Sequence, residues 1–137
     1  MTHQELLTHV DHTQLKAFAT WEDIQTLCEQ AIANHTASVC VPPCYVKRIH
    51  EKYGDQLTIC TVIGFPNGYS TTASKCFEAA DAVRSGADEI DMVINIGLLK
   101  ARKYKAVKNE IESETEQKVS AVNIHVQGVH LPGEEEE

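Results

Sequence analysis

The sequence alternates between short apolar runs and amphipathic helical segments, and this alternation restricts the possible folds more than any other feature. The four segments that we interpret as strands are THVDHT (8–13) and the more apolar runs ASVCV (37–41), LTICTVIG (57–64) and DEIDMVIN (88–95). Each run precedes a segment with apolar residues at helical spacing, the last from about Leu99 with Tyr104, Val107 and Ile111 on its inner face. Strands that alternate with helices of this length predict βαβ units and a parallel sheet.

Two architectures contain such units, the open doubly wound sheet and the (β/α)8 barrel. An open nucleotide-binding sheet has a glycine-rich turn after its first strand, and the matching stretch here, DHTQLKAFAT (11–20), contains no glycine. The sequence therefore favours an α/β fold made of the parallel (β/α) units of a TIM-type (β/α)8 barrel. Such a barrel needs about 250 residues. Because the chain has 137 residues, we expect a barrel truncated to roughly its first four or five strands.

Charge and cysteine content narrow the functional classes. The formal net charge is −8 at pH 7, which argues against nucleic acid or an anionic membrane as a partner, because like charges repel. No run approaches the about 20 apolar residues of a membrane-spanning helix. The first residues, MTHQELLTHV, lack the basic start and apolar core of a signal peptide. The five cysteines show no framework spacing, so we interpret them as reduced thiols and expect a cytoplasmic protein.

Asp91 lies in the middle of DEIDMVIN, the fourth predicted strand, where an unpaired buried carboxylate is unfavourable. Successive side chains of a strand alternate between its two faces. The apolar set Ile90, Met92 and Ile94 would then contact the helices, and Asp91 would point into the barrel. Asn95 would lie near the C-terminal rim, where barrel enzymes carry their chemistry. A structural carboxylate, paired with a core lysine or accepting backbone amides, explains the same pattern, and both interpretations stay open.

A zinc site is the metal-binding alternative, with Cys40, Cys44, His35 and His50 as the candidate ligands. The Cys-x3-Cys spacing spans a strand end and a Pro-Pro turn, and no second pair follows it. Zinc fingers have a different ligand spacing and two such pairs. We therefore expect no metal ion.

Four motifs resemble, in order and spacing, those of deoxyribose-phosphate aldolase: DHTQLK (11–16), ASVCVPPCYV (37–46), CTVIGFPNG (60–68) and GADEIDMVIN (86–95). The resemblance covers about residues 5–112 and includes almost all of KCFEAADAVRSGADEIDMVINIG. It implies a (β/α)8 barrel and a class I aldolase. Such an enzyme cleaves a small-molecule sugar phosphate, 2-deoxyribose 5-phosphate, reversibly to glyceraldehyde 3-phosphate and acetaldehyde. The resemblance implies a lysine Schiff base and neither a cofactor nor a metal.

Four positions of this chain match residues around the pocket of that family. Asp91 matches an aspartate beside the reactive lysine, so the resemblance implies that Asp91 is a proton donor and acceptor. Asp11 and Thr13 match residues that line the same pocket and support the lysines. Cys40 matches a pocket cysteine, although the simpler interpretation of Cys40 is a small buried apolar residue.

The resemblance ends at about Glu112. In the family, the imine-forming lysine lies on the sixth strand and the phosphate-binding residues lie on the seventh and eighth, and no matching motif is present here. We expect residues 1–112 to be the N-terminal half of a barrel and residues 113–137 to be a divergent acidic tail. Within the tail, KVSAVNIHV (118–126) can form a fifth strand, and the remainder is expected to be disordered. A frameshift, an early stop or a deliberate truncation would each produce this pattern.

None of the nine lysines in the sequence is predicted to replace the missing one. Lys75, like the others, is interpreted as solvated, and a solvated lysine is protonated at pH 7 and a poor nucleophile. We therefore expect an aldolase by descent that is inactive alone. The alternative is a non-catalytic half-barrel fragment or assembly module. Because half a barrel leaves strand edges and an apolar face open, we also expect a homo-oligomer.

Overall fold

One five-stranded sheet alternates with helices in the computed structural model, which describes residues 1–116 and 121–125. The elements in chain order are α1 (His3–Leu7), β1 (Asp11–Thr13), α2 (Trp21–Asn34), β2 (Ser38–Val41), α3 (Pro43–Tyr53), β3 (Ile59–Ile63), α4 (Thr72–Ser85), β4 (Glu89–Val93), α5 (Ile96–Lys100), α6 (Tyr104–Glu114) and β5 (Ala121–His125). The strand order is β1-β2-β3-β4-β5, and every neighbouring pair is parallel. The predicted parallel α/β arrangement is therefore confirmed. Strand β5 lies within KVSAVNIHV, and residues 126–137 of the expected acidic tail lie outside the described residues.

Local sequence signals set the bounds of the helices. The Thr20 side chain accepts a hydrogen bond from the backbone N–H of Asp23, and the Asp23 carboxylate accepts one from the backbone N–H of Thr20, which is a capping box at the start of α2. Helix α3 begins at Pro43, whose missing N–H is harmless in a first turn, and ends at Tyr53 with Gly54 as its C-cap. No helix in the described part of the chain is both long enough and apolar enough to cross a membrane.

The main hydrophobic core lies between the sheet and its helices. The strands contribute alternate apolar side chains to it, namely Val39, Val41, Ile59, Ile63, Ile90 and Met92. Helices α2 and α3 supply buried residues such as Ile24 and Ile49, and α4 supplies Ala79 and Ala82. Because strand side chains alternate, the remaining strand residues point to the opposite face of the sheet, which we call the inner face. That face is where a site can form.

The segment after β4 forms two helices rather than the single helix that was predicted from about Leu99. Helix α5 ends at Lys100, the chain turns at Arg102 with a φ of 60°, and α6 begins at Tyr104. Val107 is buried as predicted, but Tyr104 is 60% exposed, so its predicted inward position is wrong. The turn changes the direction of the chain, and the helical phase counted from Leu99 therefore does not continue into α6.

Candidate active site

The inner face of the sheet borders a cavity of about 170 Å³. The residues that line the cavity are Asp11, Thr13, Leu15, Cys40, Val62, Phe65, Asp91 and Val93. All four residues selected in the sequence analysis, Asp11, Thr13, Cys40 and Asp91, belong to this set. They come from β1, β2 and β4, so the order of the strands in the sheet brings them together.

Asp91 faces the cavity while its neighbours Ile90 and Met92 belong to the core on the helix side. Its Oδ1 accepts a hydrogen bond of 2.7 Å from Nδ2 of Asn123, the residue opposite it on β5. In the described part of the chain, Asp91 has neither a lysine partner nor a backbone amide donor. These contacts provide no support for the structural-carboxylate interpretation, which requires a lysine partner or backbone amide donors.

Asp11 and Thr13 are held at the first strand of the sheet. The Ser38 hydroxyl donates a hydrogen bond of 2.6 Å to Oδ1 of Asp11, across the β1–β2 pair. The Thr13 hydroxyl donates to the backbone carbonyl of Asp11 at 2.9 Å. Both side chains therefore have defined positions although both residues are exposed.

The structure adds Cys60 to the residues that sequence reasoning had selected. Cys40 and Cys60 lie directly opposite each other on β2 and β3, and both are buried. Their sulfur atoms and a carboxylate oxygen of Asp91 all lie within 4.8 Å of one another. The contact with Cys40, then burial and the charge of Asp91, raise the pKa of the Cys60 thiol. The alternation of side chains along β3 could have predicted this position. Cys60 lies two residues before the cavity residue Val62, so both side chains point to the same face of the sheet.

Two further carboxylates lie at the start of β4, and Glu89 has the same parity on the strand as Asp91. Glu89 is half-buried, and burial, followed by the charges of Asp11, Asp91 and Asp88, raises the pKa of its carboxyl group. Asp88 is also half-buried, and its Oδ2 accepts a hydrogen bond of 2.9 Å from the backbone N–H of Ile59. Asp88 thus contributes to the hydrogen bonding between the starts of β3 and β4.

Lys75 is buried, which corrects the expectation that all the lysines are solvated. Its Nζ donates to the backbone carbonyl of Val93 at 2.9 Å and to Oε1 of Glu110 at 2.7 Å. The Thr72 hydroxyl donates to the second Glu110 oxygen at 3.0 Å. A signal for this burial was present in the sequence, because Lys75 occupies the same helical stripe as Ala79 and Ala82.

The Lys75 side chain contacts the end of β4, but it does not line the cavity. Its ammonium group lies on the helix side of the sheet, between α4 and α6, and the cavity lies on the inner face. Among the described residues, no lysine lines the cavity.

Known proteins similar to this chain are aldolases. The family model described as "DeoC/LacD family aldolase" matches residues 6–127. A deoxyribose-phosphate aldolase of Clostridium botulinum (strain Alaska E43 / Type E3) is 53% identical over 113 residues, which are 82% of this chain and 51% of that protein. The solved structure of QR15, described as an aldolase, has a TM-score of 0.82 at 30% identity and covers 88% of this chain and 54% of its own. The deoxyribose phosphate aldolase of Aeropyrum pernix, described as a unique tetrameric structure, has a TM-score of 0.70 at 25% identity and covers 88% of this chain and 52% of its own.

These comparisons confirm the predicted fold class and the resemblance. The five parallel strands correspond to about half of the TIM-type barrel of these aldolases. The family match continues to residue 127, past residue 112, where the resemblance was expected to end. The chain spans about half the length of the curated relatives it matches. On the family match and the 53% identity together, this chain belongs to the DeoC/LacD family of aldolases.

Proposed function

We propose that the cavity on the inner face is part of the substrate site of a deoxyribose-phosphate aldolase, and that Asp91 is its proton donor and acceptor. The observation that carries this proposal is the position of Asp91, on β4, facing a cavity that Asp11, Thr13 and Cys40 also line. The 53% identical relative supports 2-deoxyribose 5-phosphate as the substrate. The proposed reaction is its reversible cleavage to glyceraldehyde 3-phosphate and acetaldehyde.

Retro-aldol cleavage needs an electron sink and a group that moves protons. A lysine imine supplies the sink in the proposed mechanism, and no cofactor or metal is required. Asp91 would transfer protons at the imine and at the carbon that becomes the methyl group of acetaldehyde. The hydrogen bond from Asn123 would hold Oδ1 of Asp91 in position beside the cavity during this transfer. Asp11, held by Ser38, and Thr13 would fix the geometry of the same pocket.

The chain on its own is proposed to be inactive. Asp91 offers a base, but no lysine of residues 1–116 lines the cavity to form the imine.

The free cysteines fit a protein that works in the reducing cytoplasm.

Imine trapping tests whether any lysine of this chain forms the imine that would act as the electron sink. The 137-residue polypeptide is incubated with 2-deoxyribose 5-phosphate and borohydride, and its intact mass is measured. We expect no stoichiometric adduct, because every described lysine lies away from the cavity. A reduced adduct on any lysine, located by peptide mapping, would contradict the proposed inactivity.

A chimera tests the role of Asp91 itself. Residues 1–112 of this chain are joined to the remaining part of the Clostridium botulinum relative, and retro-aldol turnover is measured. Asp91→Asn is expected to lower kcat by about 10²- to 10⁴-fold, the usual contribution of a general acid–base group. Asp81→Asn is the matched control, because Asp81 is 64% exposed on α4 and pairs only with Arg84 in the described residues. An unchanged rate in the Asp91 variant would show that Asp91 is structural.

A further inference from the structure

We propose that Cys40, Cys60 and Asp91 form a binding site for a soft divalent cation of the zinc and cadmium class. This inference concerns metal binding and does not depend on the proposed aldolase function. Among the described residues, the metal-binding cluster that contains Cys40 does not include Cys44, the other cysteine of the Cys-x3-Cys spacing. The fold instead places Cys40 beside Cys60, on the neighbouring strand, with Asp91 next in the sheet.

The donor atoms are already close to a metal-binding arrangement. The two sulfur atoms and the Asp91 oxygen lie within 4.8 Å of one another. In a tetrahedral zinc site with zinc–sulfur bonds of about 2.3 Å, the sulfur atoms are about 3.8 Å apart. Contraction by about 1 Å or less is within reach of side-chain rotation, so the sheet itself need not move. Cys40 and Cys60 are directly paired on adjacent strands, which holds their backbones in fixed positions.

The charge of the inner face favours a cation at this point. Asp11, Glu89 and Asp91 all lie on that face, and none of them is in an ion pair with another described residue. A bound divalent cation would offset this concentration of negative charge.

Access and chemistry together define the class of cation. Cys40 and Asp91 line the cavity of about 170 Å³, so an ion can reach the Cys40 sulfur and the Asp91 carboxylate from that side, with the Cys60 sulfur next to them. The cavity leaves room for a water molecule as a fourth ligand, which three-ligand zinc sites commonly have. Two thiolates with one carboxylate select zinc or cadmium over magnesium or calcium, which prefer oxygen ligands.

Cadmium titration of the full chain tests the proposal, because cadmium–thiolate bonds give an ultraviolet charge-transfer band that histidine and carboxylate sites lack. We expect the band to rise to one cadmium ion per chain, to be displaced by zinc and to be unaffected by magnesium. Cys40→Ser combined with Cys60→Ser should abolish it, and Asp91→Asn should weaken binding about tenfold or more. Cys44→Ser is the matched control, since Cys44 is exposed on α3 and lies outside the cluster. A band that survives the double substitution, or one that disappears in Cys44→Ser, would overturn the proposal.

A second measurement applies if the double variant fails to fold, as judged by circular dichroism. Thiol alkylation of the unmodified chain is followed by peptide mass spectrometry with and without zinc. Zinc is expected to slow alkylation of Cys40 and Cys60 together and to leave the rate at Cys44 unchanged. Equal rates at Cys40 and Cys60 with and without zinc would refute the site.

Discussion

Lys75 is the residue whose surroundings differ most from those usual for its type. Its side chain is fully buried and joins three elements, since it extends from α4 to the Val93 carbonyl of β4 and to Glu110 of α6. A buried ammonium group is tolerated only when it is paired and hydrogen-bonded. The Glu110 carboxylate and the Val93 carbonyl meet both requirements. Lys75 therefore couples the end of the strand that carries Asp91 to the helices behind it.

Lys75→Met is expected to lower the free energy of unfolding by about 3–5 kcal/mol, because it leaves the Glu110 carboxylate buried without its partner. Combining it with Glu110→Leu should recover much of the loss, because the uncompensated charge is then removed. Urea denaturation followed by circular dichroism gives both values. Lys108→Met is the control, since the Lys108–Glu112 pair is 3.7 Å apart and mostly exposed; a change there above about 1 kcal/mol would be unexpected. A Lys75→Met variant as stable as the parent would show that the buried pair contributes nothing.

Glu114 makes stability depend on pH in the opposite direction to most carboxylates. It is fully buried on α6, and neither carboxylate oxygen has a hydrogen-bond partner in the described structure. Burial raises the pKa of Glu114 from 4.5 to about 7; Lys75 lowers it, while Glu110 and Glu78 raise it further. The folded state therefore binds a proton more tightly than the unfolded state does, so stability should fall as the pH rises from 4.5 to about 7.

Glu114→Gln is expected to remove this decrease, because glutamine is neutral at every pH in the range. The free energy of unfolding is measured at a pH near 4.5 and at a pH above 7 for both chains. Glu112→Gln, on the exposed side of the same helix, should leave the pH dependence as it is in the parent. If the parent and Glu114→Gln lose stability equally over this range, Glu114 is not the group responsible.

At the scale of elements, the loop between β3 and α4 is fitted to the end of β4. Gly68 has a φ of 73°, and its N–H donates to the Gly64 carbonyl at 2.7 Å. A Cβ atom at Gly68 would overlap the backbone carbonyl of Ile94, just beyond β4. Both the backbone conformation and the close approach require glycine at this position.

Gly68→Ala should destabilise the fold by about 2 kcal/mol or more, because alanine is strained at this φ and collides with the Ile94 carbonyl. Thermal unfolding followed by circular dichroism measures the loss. Gly97→Ala is the control, because Gly97 lies in α5 and a Cβ there would meet only the Asn95 side chain at an ordinary 3.5 Å. There the expected effect is neutral or stabilising, since alanine is the better helix former. Equal effects of the two substitutions would show that the loop can adjust.

At the scale of the molecule, the parallel sheet has two ends, β1 and β5, that are not paired with each other. A two-fold axis along the strands would pair β5 of one copy with β1 of the second copy in parallel, and would close the sheet without a free edge. Apolar side chains lie at both ends, with Val10 37% and Ile124 52% exposed. We therefore propose a homodimer or higher oligomer.

Light scattering after size exclusion tests the assembly, with 15.2 kDa as the mass of one chain. We expect twice that mass or more, and Ile124→Lys should shift the population toward the monomer because it places a charge at the edge. Phe77→Lys is the control, since Phe77 is 70% exposed on α4, away from both edges. A monodisperse particle of 15.2 kDa with a sharp unfolding transition would show that a single copy folds stably, and would contradict the proposed oligomer.

The fold class and the direction of the Asp91 side chain could be predicted from the sequence alone. Both depend on local periodicity: apolar runs alternate with helical stripes, and side chains alternate along a strand. Capping residues such as Thr20 and Gly54 were equally readable, because a cap acts within one helical turn.

The contacts between polar side chains, in contrast, depend on how the strands and helices pack. Cys40 with Cys60, Asp91 with Asn123, and Lys75 with Glu110 are each brought together by strand order or helix packing. The last two pairs are separated by 32 and 35 residues along the chain. The burial of Lys75 went unpredicted because a lysine is normally solvated, and only the position of Glu110 on a second helix makes its burial favourable. Periodicity indicates which face of an element a side chain occupies, but the side chain's partner depends on the packing of elements that are distant in sequence.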